Sequence, residues 1–254
     1  GNPNYIFLHG LGGEKGLFSL AFDHPSGLGK GILCVDLLGH GASCRLDDGL
    51  AYSFKVQADC LRELLLGLEV SEASFVFHSM SSGLIPSLMQ WQELEIINIF
   101  LLEGNLLDED TSWSRHLTSM SDMEFTVYSN KLRQHAGIIL AQQITREVSR
   151  QQLKNWSQGF LRADQRALRD LARNTCKIIS HGDVVDALRG FSNPVVYLRG
   201  AQSDDWGGRD LLQDMGVDFV EVPASGHYLM LDNPEKVYST IFDYRARHGD
   251  VGTR

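Results

Sequence analysis

The sequence predicts an α/β fold: a doubly wound, mostly parallel sheet of about six strands flanked by helices, with an inserted helical cap. Three observations carry the prediction. Short apolar runs rich in β-branched and aromatic residues recur at 5–8, 31–36, 74–78, 96–102, 194–200 and 217–222, and each reads as a buried strand. Helical spacing separates several of them, as in residues 53–68, where Val56, Cys60, Leu61, Leu64 and Leu68 share one face. Between 106 and 176 strand-like runs disappear and polar helical patterns replace them. The expected organisation is therefore a core of residues 1–105 and 177–254 with a helical cap at 106–176.

Bulk properties narrow the function classes. With 254 residues, 43% hydrophobic and 22% charged, the chain is long enough for one large α/β domain. A net charge of −9 argues against nucleic acid as a partner. No apolar run approaches the ~18 residues that span a bilayer, so no membrane partner is expected. Cys34, Cys44, Cys60 and Cys176 show no C-x-x-C spacing, which indicates neither a zinc site nor a redox pair. No leader-like stretch opens the sequence, and a cytoplasmic location is the expectation. Nothing in the pattern sets an oligomeric state.

The first strand, at 5–8, runs into His9-Gly10-Leu11-Gly12-Gly13, where glycines permit a sharp turn and close backbone approach. One reading is a dinucleotide site, since Gly10-Leu11-Gly12-Gly13 follows a strand and Asp36 ends the next one. Against it, Lys15 stands where that motif requires Gly or Ala. A second glycine-rich stretch, 27–31, lacks the ending of a phosphate-binding loop. After the second strand comes Asp36-Leu37-Leu38-Gly39-His40-Gly41-Ala42-Ser43, and then the amphipathic helix at 53–68.

The centre of the chain is Phe77-His78-Ser79-Met80-Ser81-Ser82-Gly83. A buried strand ends at His78, and Leu84, Ile85, Leu88, Met89 and Trp91 follow at helical spacing. A serine on such a strand-to-helix turn has its hydroxyl pushed out of the sheet edge, the mechanical content of a nucleophile elbow. A rival frame centres on Ser81 between small residues. A third reading makes Ser79 a helix N-cap. The strand at 96–102 then ends at Glu103-Gly104-Asn105. In the insert, seven basic residues (146, 150, 154, 162, 166, 169 and 173) face three acidic ones. They read either as a solvated helix face or as a basic lid favouring an anionic or carrier-bound substrate. The sheet resumes at 194–200, followed by Ala201-Gln202-Ser203-Asp204-Asp205. Beyond the last strand lies Ala224-Ser225-Gly226-His227, with Asp232, Pro234 and Glu235 downstream. Pro234 suits the first turn of a helix.

These motifs, in this order, resemble the α/β-hydrolase superfamily. The Asp36–Ser43 string matches the family's D-x-x-G-H-G-x-S turn, a structural element there, which makes His40 a packing residue. His78, Ser79 and Met80 match the family elbow G-H-S-M-G-G; Phe77 departs from it, because the family has a small residue at that position. The resemblance implies a Ser79–His227–Asp204 triad, with the amides of Leu11 and Met80 as oxyanion hole. Three carboxylates compete for the acid: Asp204, its neighbour Asp205, and Glu103, which could instead line the substrate pocket beside His78. Family members usually open with an antiparallel hairpin, whereas this sequence begins almost at the first parallel strand. A family insert after the 96–102 strand is a cap over the active site.

The chemistry fits those residue types. A serine hydroxyl is a weak nucleophile until an imidazole takes its proton, and a carboxylate fixes the imidazole tautomer and stabilises its cation. The expected activity is hydrolysis of a small ester, thioester or related carbonyl substrate through an acyl-enzyme, with a small-molecule acyl substrate as partner and no metal or organic cofactor. The alternatives are a same-fold C–C hydrolase or lyase, such as the menaquinone-pathway synthase, and a non-catalytic binding protein on this fold.

Overall fold

The computed structural model describes residues 4–204 and 206–244. Asp205, one of the candidate acids, lies outside the described residues. Six strands form one parallel sheet: β1 Tyr5–Leu8, β2 Ile32–Val35, β3 Glu72–His78, β4 Glu95–Leu102, β5 Val195–Gly200 and β6 Asp218–Val222, in the order β2-β1-β3-β4-β5-β6. The apolar runs carry side chains on both faces because both faces are covered. Phe75, Phe77, Leu101 and Tyr197 pack on one side with the helix Phe54–Gly67, while Phe7, Val76, Phe100 and Leu198 pack on the other with the helix Pro234–Phe242. The chain leaves β1 toward β2 and returns to the far side of β1 for β3. The turns after β1 and β3 therefore meet at the point where strand order reverses, the usual crevice of such sheets.

The polar helical patterns between 106 and 176 form several short helices. They include Asp122–Gln134, Ala136–Gln143, Arg150–Trp156, Gln158–Arg162 and Gln165–Ser180. Side-chain caps start two of them, Arg150–Trp156 and Gln165–Ser180. The Ser149 hydroxyl accepts from the Gln152 amide while Gln152 accepts from the Ser149 amide, and Asp164 accepts from the Arg166 amide.

The expected cap boundary at 176 falls inside the helix Gln165–Ser180. Ala167, Leu168, Leu171 and Ala172 of that helix are buried in the same cluster as Leu37, Tyr52, Phe77 and Leu84. Backbone contact is close as well: a Cβ on Gly39, which has φ 78°, would lie 2.4 Å from that of Ala167. This helix belongs with the core, and the segments that roof the crevice lie before it.

Candidate active site

Seven of the residues singled out from the sequence border one cavity of about 680 Å³ at the C-terminal edge of the sheet: Leu11, His78, Ser79, Met80, Glu103, Asp204 and His227. The insert closes it with Trp113, Tyr128, Leu132, Ile139 and Phe160.

Ser79 follows directly on β3 with φ 55°, a left-handed conformation that non-glycine residues rarely adopt, and opens the 3-10 turn Ser79–Leu84. Phe77 does not loosen this turn. Its ring is fully buried and stacks on Phe75 at 5.9 Å. The crowding falls instead on the facing loop, where a Cβ on Gly10 would lie 2.9 Å from Ser79 Cβ and 3.2 Å from the His78 carbonyl oxygen. The small residue that the elbow needs is thus Gly10. Ser81, centre of the rival frame, is fully buried, with its hydroxyl 2.9 Å from the carbonyl oxygens of both Leu8 and His78.

The amides of Leu11 and Met80 have no hydrogen-bond partner among the described residues. Met80 lies in the first turn of a helix, where amides lack intrahelical acceptors. Ser79 Oγ lies 3.5 Å from Asn105 Oδ1, and no hydrogen bond joins it to His227 among the described residues. Asn105 is a site residue that sequence reasoning passed over. Its signal was its position two residues beyond Glu103, at the end of the strand beside the elbow.

The carboxylate that the fold brings to His227 is Glu103, not Asp204. Glu103 Oε2 lies 3.9 Å from His227 Nδ1, an ion-pair distance longer than a hydrogen bond. The buried carboxylate also accepts from the Gly200 amide (2.7 Å), Ser203 Oγ (2.7 Å) and Arg199 (3.1 Å). Burial alone would raise its pKa, but His227, Arg199 and the Gly200 amide outweigh that and hold it below the usual carboxylate range. Asp204 is exposed and is held through its backbone, its carbonyl accepting from Arg199 at 2.7 Å. The geometry has a steric cause. A Cβ on Gly200 would lie 2.4 Å from the Ser225 carbonyl oxygen. The loop after β6 therefore crosses directly over the end of β5, which delivers His227 to the strand end carrying Glu103. Arg199 and Ser203 are further site residues that the sequence reading missed.

His78, expected to bind substrate, is buried and directed at His227. Its Nε2–H donates to the His227 carbonyl oxygen at 3.0 Å, and the two rings lie 4.8 Å apart. Burial, with His227 adding to it, pushes its pKa well below the ordinary imidazole value.

The dinucleotide reading finds no free ribose acid. Asp36 accepts from the Lys15 amide, Lys15 Nζ and the Ala42 amide at 2.7, 2.7 and 2.9 Å. Gly10 faces the elbow, and Gly12 faces Phe160, whose ring a Cβ would meet at 3.0 Å. These glycines admit protein rather than pyrophosphate.

A parallel sheet in this order, with an elbow at its switch point, defines the α/β-hydrolase class of fold. Solved structures agree at the level of the fold. An esterase from Exiguobacterium antarcticum superposes with a TM-score of 0.75 at 18% identity, covering 96% of this chain and 91% of that one. A haloalkane dehalogenase from Bradyrhizobium elkani gives 0.76 at 17%, covering 95% and 89%. An E-2-(acetamidomethylene)succinate hydrolase gives 0.69 at 17%, covering 96% and 91%. No curated protein sequence matches the chain. The model of the alpha/beta hydrolase family matches residues 5–240, and the chain belongs to that family.

Proposed function

We propose that the protein is a serine hydrolase that cleaves a small ester, thioester or related carbonyl substrate through an acyl-enzyme. Ser79 is the nucleophile, His227 the base, Glu103 the acid in place of Asp204, and the amides of Leu11 and Met80 form the oxyanion hole. One observation carries the reading: a serine held at positive φ on a strand-to-helix turn shares a cavity with two unpaired amides and a histidine that faces a buried carboxylate.

In the proposed reaction Ser79 Oγ turns from Asn105, a χ1 change between staggered rotamers, and attacks the substrate carbonyl carbon as its proton passes to His227. The two amides take the charge that builds on the carbonyl oxygen. Collapse expels the alcohol or thiol, which leaves with the proton from His227. A water molecule then attacks the acyl carbon, giving its proton to His227, and the free acid departs as Ser79 regains a proton. Glu103 opposes the positive charge on the imidazole at each step. His78 holds the base through its backbone carbonyl.

The same constellation would serve C–C cleavage or elimination, and a binding protein would keep the shape without the chemistry. Labelling with a fluorophosphonate, followed by peptide mass spectrometry, separates an enzyme from a binding protein, and a p-nitrophenyl ester panel separates ester hydrolysis from the other chemistries. The expected adduct is on Ser79, lost in Ser79→Ala, whose kcat toward p-nitrophenyl esters should fall by roughly 10⁴–10⁶. An adduct on Ser81, or no adduct beside an inert ester panel, would overturn the reading.

A further inference from the structure

A second feature of the cavity is its charge. None of the seven basic residues between 146 and 173 borders it. Arg150 and Lys154 are exposed, and the other five are engaged elsewhere: Arg162 pairs with Glu14 at 3.6 Å, Arg169 with Asp122, and Arg173 with Asp170 at 3.6 Å. Arg166 reaches Asp48 and the carbonyls of Leu46 and Asp47, and Arg146 lies over the Trp156 ring. The basic-lid reading of the insert therefore has no cation at the cavity wall.

The cation that does border the cavity is Arg199, and it is already committed. It bonds Glu103 Oε2 and the Asp204 carbonyl, and its guanidinium lies over the Trp206 ring at 5.0 Å. Among the described residues four carboxylates stand against that one guanidinium: Glu103, Glu109, Asp110 and Asp204. Glu103 is balanced by Arg199. Asp110 is tied to the amides of Leu106 and Leu107 at 2.9 and 2.8 Å. The remaining two are exposed and answered by no cation among the described residues. Glu109 accepts from the Gly207 amide at 2.9 Å through one oxygen only, and the Asp204 carboxylate makes no hydrogen bond among the described residues. Both flank the loop that carries Trp206. Aromatic side chains complete the wall, with Trp113 packed edge-on to Phe160 at 6.3 Å and joined to the Tyr128 hydroxyl at 3.3 Å.

Among the described residues, an anion entering this cavity meets unneutralised carboxylates and no free donor of positive charge. A cation meets the opposite, together with aromatic side chains in the wall. On the hydrolase reading of this cavity, on which the charge preference rests, we infer that the site selects its acyl substrates by charge. It prefers an ester or thioester whose leaving group is cationic over an uncharged one, and rejects thioesters carried on a phosphate-bearing group.

Three butyryl thioesters test this: butyrylthiocholine, its uncharged carbon isostere 3,3-dimethylbutyl thiobutyrate, and butyryl-coenzyme A. The expected order of kcat/KM is cationic, uncharged, anionic. The first step should be roughly tenfold at low salt, since exposed charges and ring contacts are each worth a factor of a few. High salt should narrow it by screening, and Asp204→Asn and Glu109→Gln should each narrow it further. Equal rates for the cationic and uncharged thioesters at low salt, or faster turnover of the coenzyme A thioester than of the uncharged one, would overturn the inference. If the wild-type protein hydrolyses none of them and takes no fluorophosphonate label, the hydrolase reading fails by itself. Calorimetric titration of Ser79→Ala with the thiocholine ester and its isostere still decides the charge preference, tighter binding of the cation supporting it and equal binding refuting it.

Discussion

At the scale of single residues, the site depends on which strand end supplies the acid. Asp204 has a family-like spacing beyond Gly200, but spacing along the chain does not say over which strand the histidine loop lies. Gly200 decides that, because its missing side chain lets residues 225 and 226 cross the end of β5. Glu103, at φ 50°, then faces His227, with its second oxygen held by the Gly200 amide and the Ser203 hydroxyl. Glu103→Gln is expected to lower kcat by roughly 10⁴, as an amide in the acid position favours the wrong imidazole tautomer. Asp204→Asn should cost less than about tenfold, since its bond to Arg199 runs through the backbone carbonyl. Circular dichroism melts on both variants separate a catalytic loss from unfolding. A Glu103→Gln enzyme with near-normal kcat would return the acid to the β5 loop.

At the scale of elements, the roof of the cavity is fastened to the base. Buried Asp232 accepts from the Thr145 amide with one oxygen (2.7 Å) and from the Gly226 amide with the other (2.9 Å). Thr145 Oγ1 donates to the carbonyl of Ala224, which itself sits at φ 52°. One carboxylate thus ties the insert to the loop that carries His227. In Asp232→Asn one of the two amides would face an NH₂ group, at a cost of about 1–3 kcal/mol for the unsatisfied donor. The expected outcome is a lower Tm together with faster hydrogen exchange at Thr145 and Gly226. Wild-type exchange at both amides would mean that the clasp does not hold the loop. The insert is also less separable than its composition suggests. Replacing residues 106–176 with a linker would remove Ala167, Leu168, Leu171 and Ala172 from the main core. That deletion should therefore yield insoluble protein, whereas a soluble, cooperatively melting product would show that the core closes without the helix Gln165–Ser180.

For the molecule as a whole, buried histidines set the response to acid. His9 Nδ1–H donates to the Gly10 carbonyl while Nε2 accepts from the Leu37 amide. His40 does the same with the Leu38 carbonyl and the Gly12 amide. In each ring one nitrogen must stay unprotonated to accept. Burial drives both down, His9 to about 4 and His40 to about 3. Between those values and the ordinary ~6.5 of an unfolded histidine, the unfolded chain binds protons that the folded chain refuses. Stability therefore rises with pH across this window and falls on acidification, by up to about 1.4 kcal/mol per pH unit for each ring. Melts from neutral pH down to about 5 should show Tm dropping steadily, and His40→Gln, whose amide oxygen can still accept, should flatten the slope. A Tm independent of pH over that range would contradict the assignment.

Much of this architecture was legible in the sequence because it is written in local patterns. Continuous apolar runs announce buried parallel strands, since a strand covered on both faces has no polar side to show. The turn at Ser79 and the glycines after β1 are likewise local, because a positive φ or a close backbone approach leaves its mark on the residue that bears it. His40 was readable as a packing residue through the resemblance of residues 36–43 to the family's turn. Glu103, Asn105, Arg199 and the cavity's charge are different in kind. Each depends on which strand ends lie side by side and which loop crosses which, and residues 103, 199 and 227 are brought together only by the folded sheet. The direction in which the insert's arginines point is also a tertiary matter. Helical patterning shows that they belong to helical segments, but only packing decides that their charges turn away from the cavity and leave Glu109 and Asp204 without a cation among the described residues.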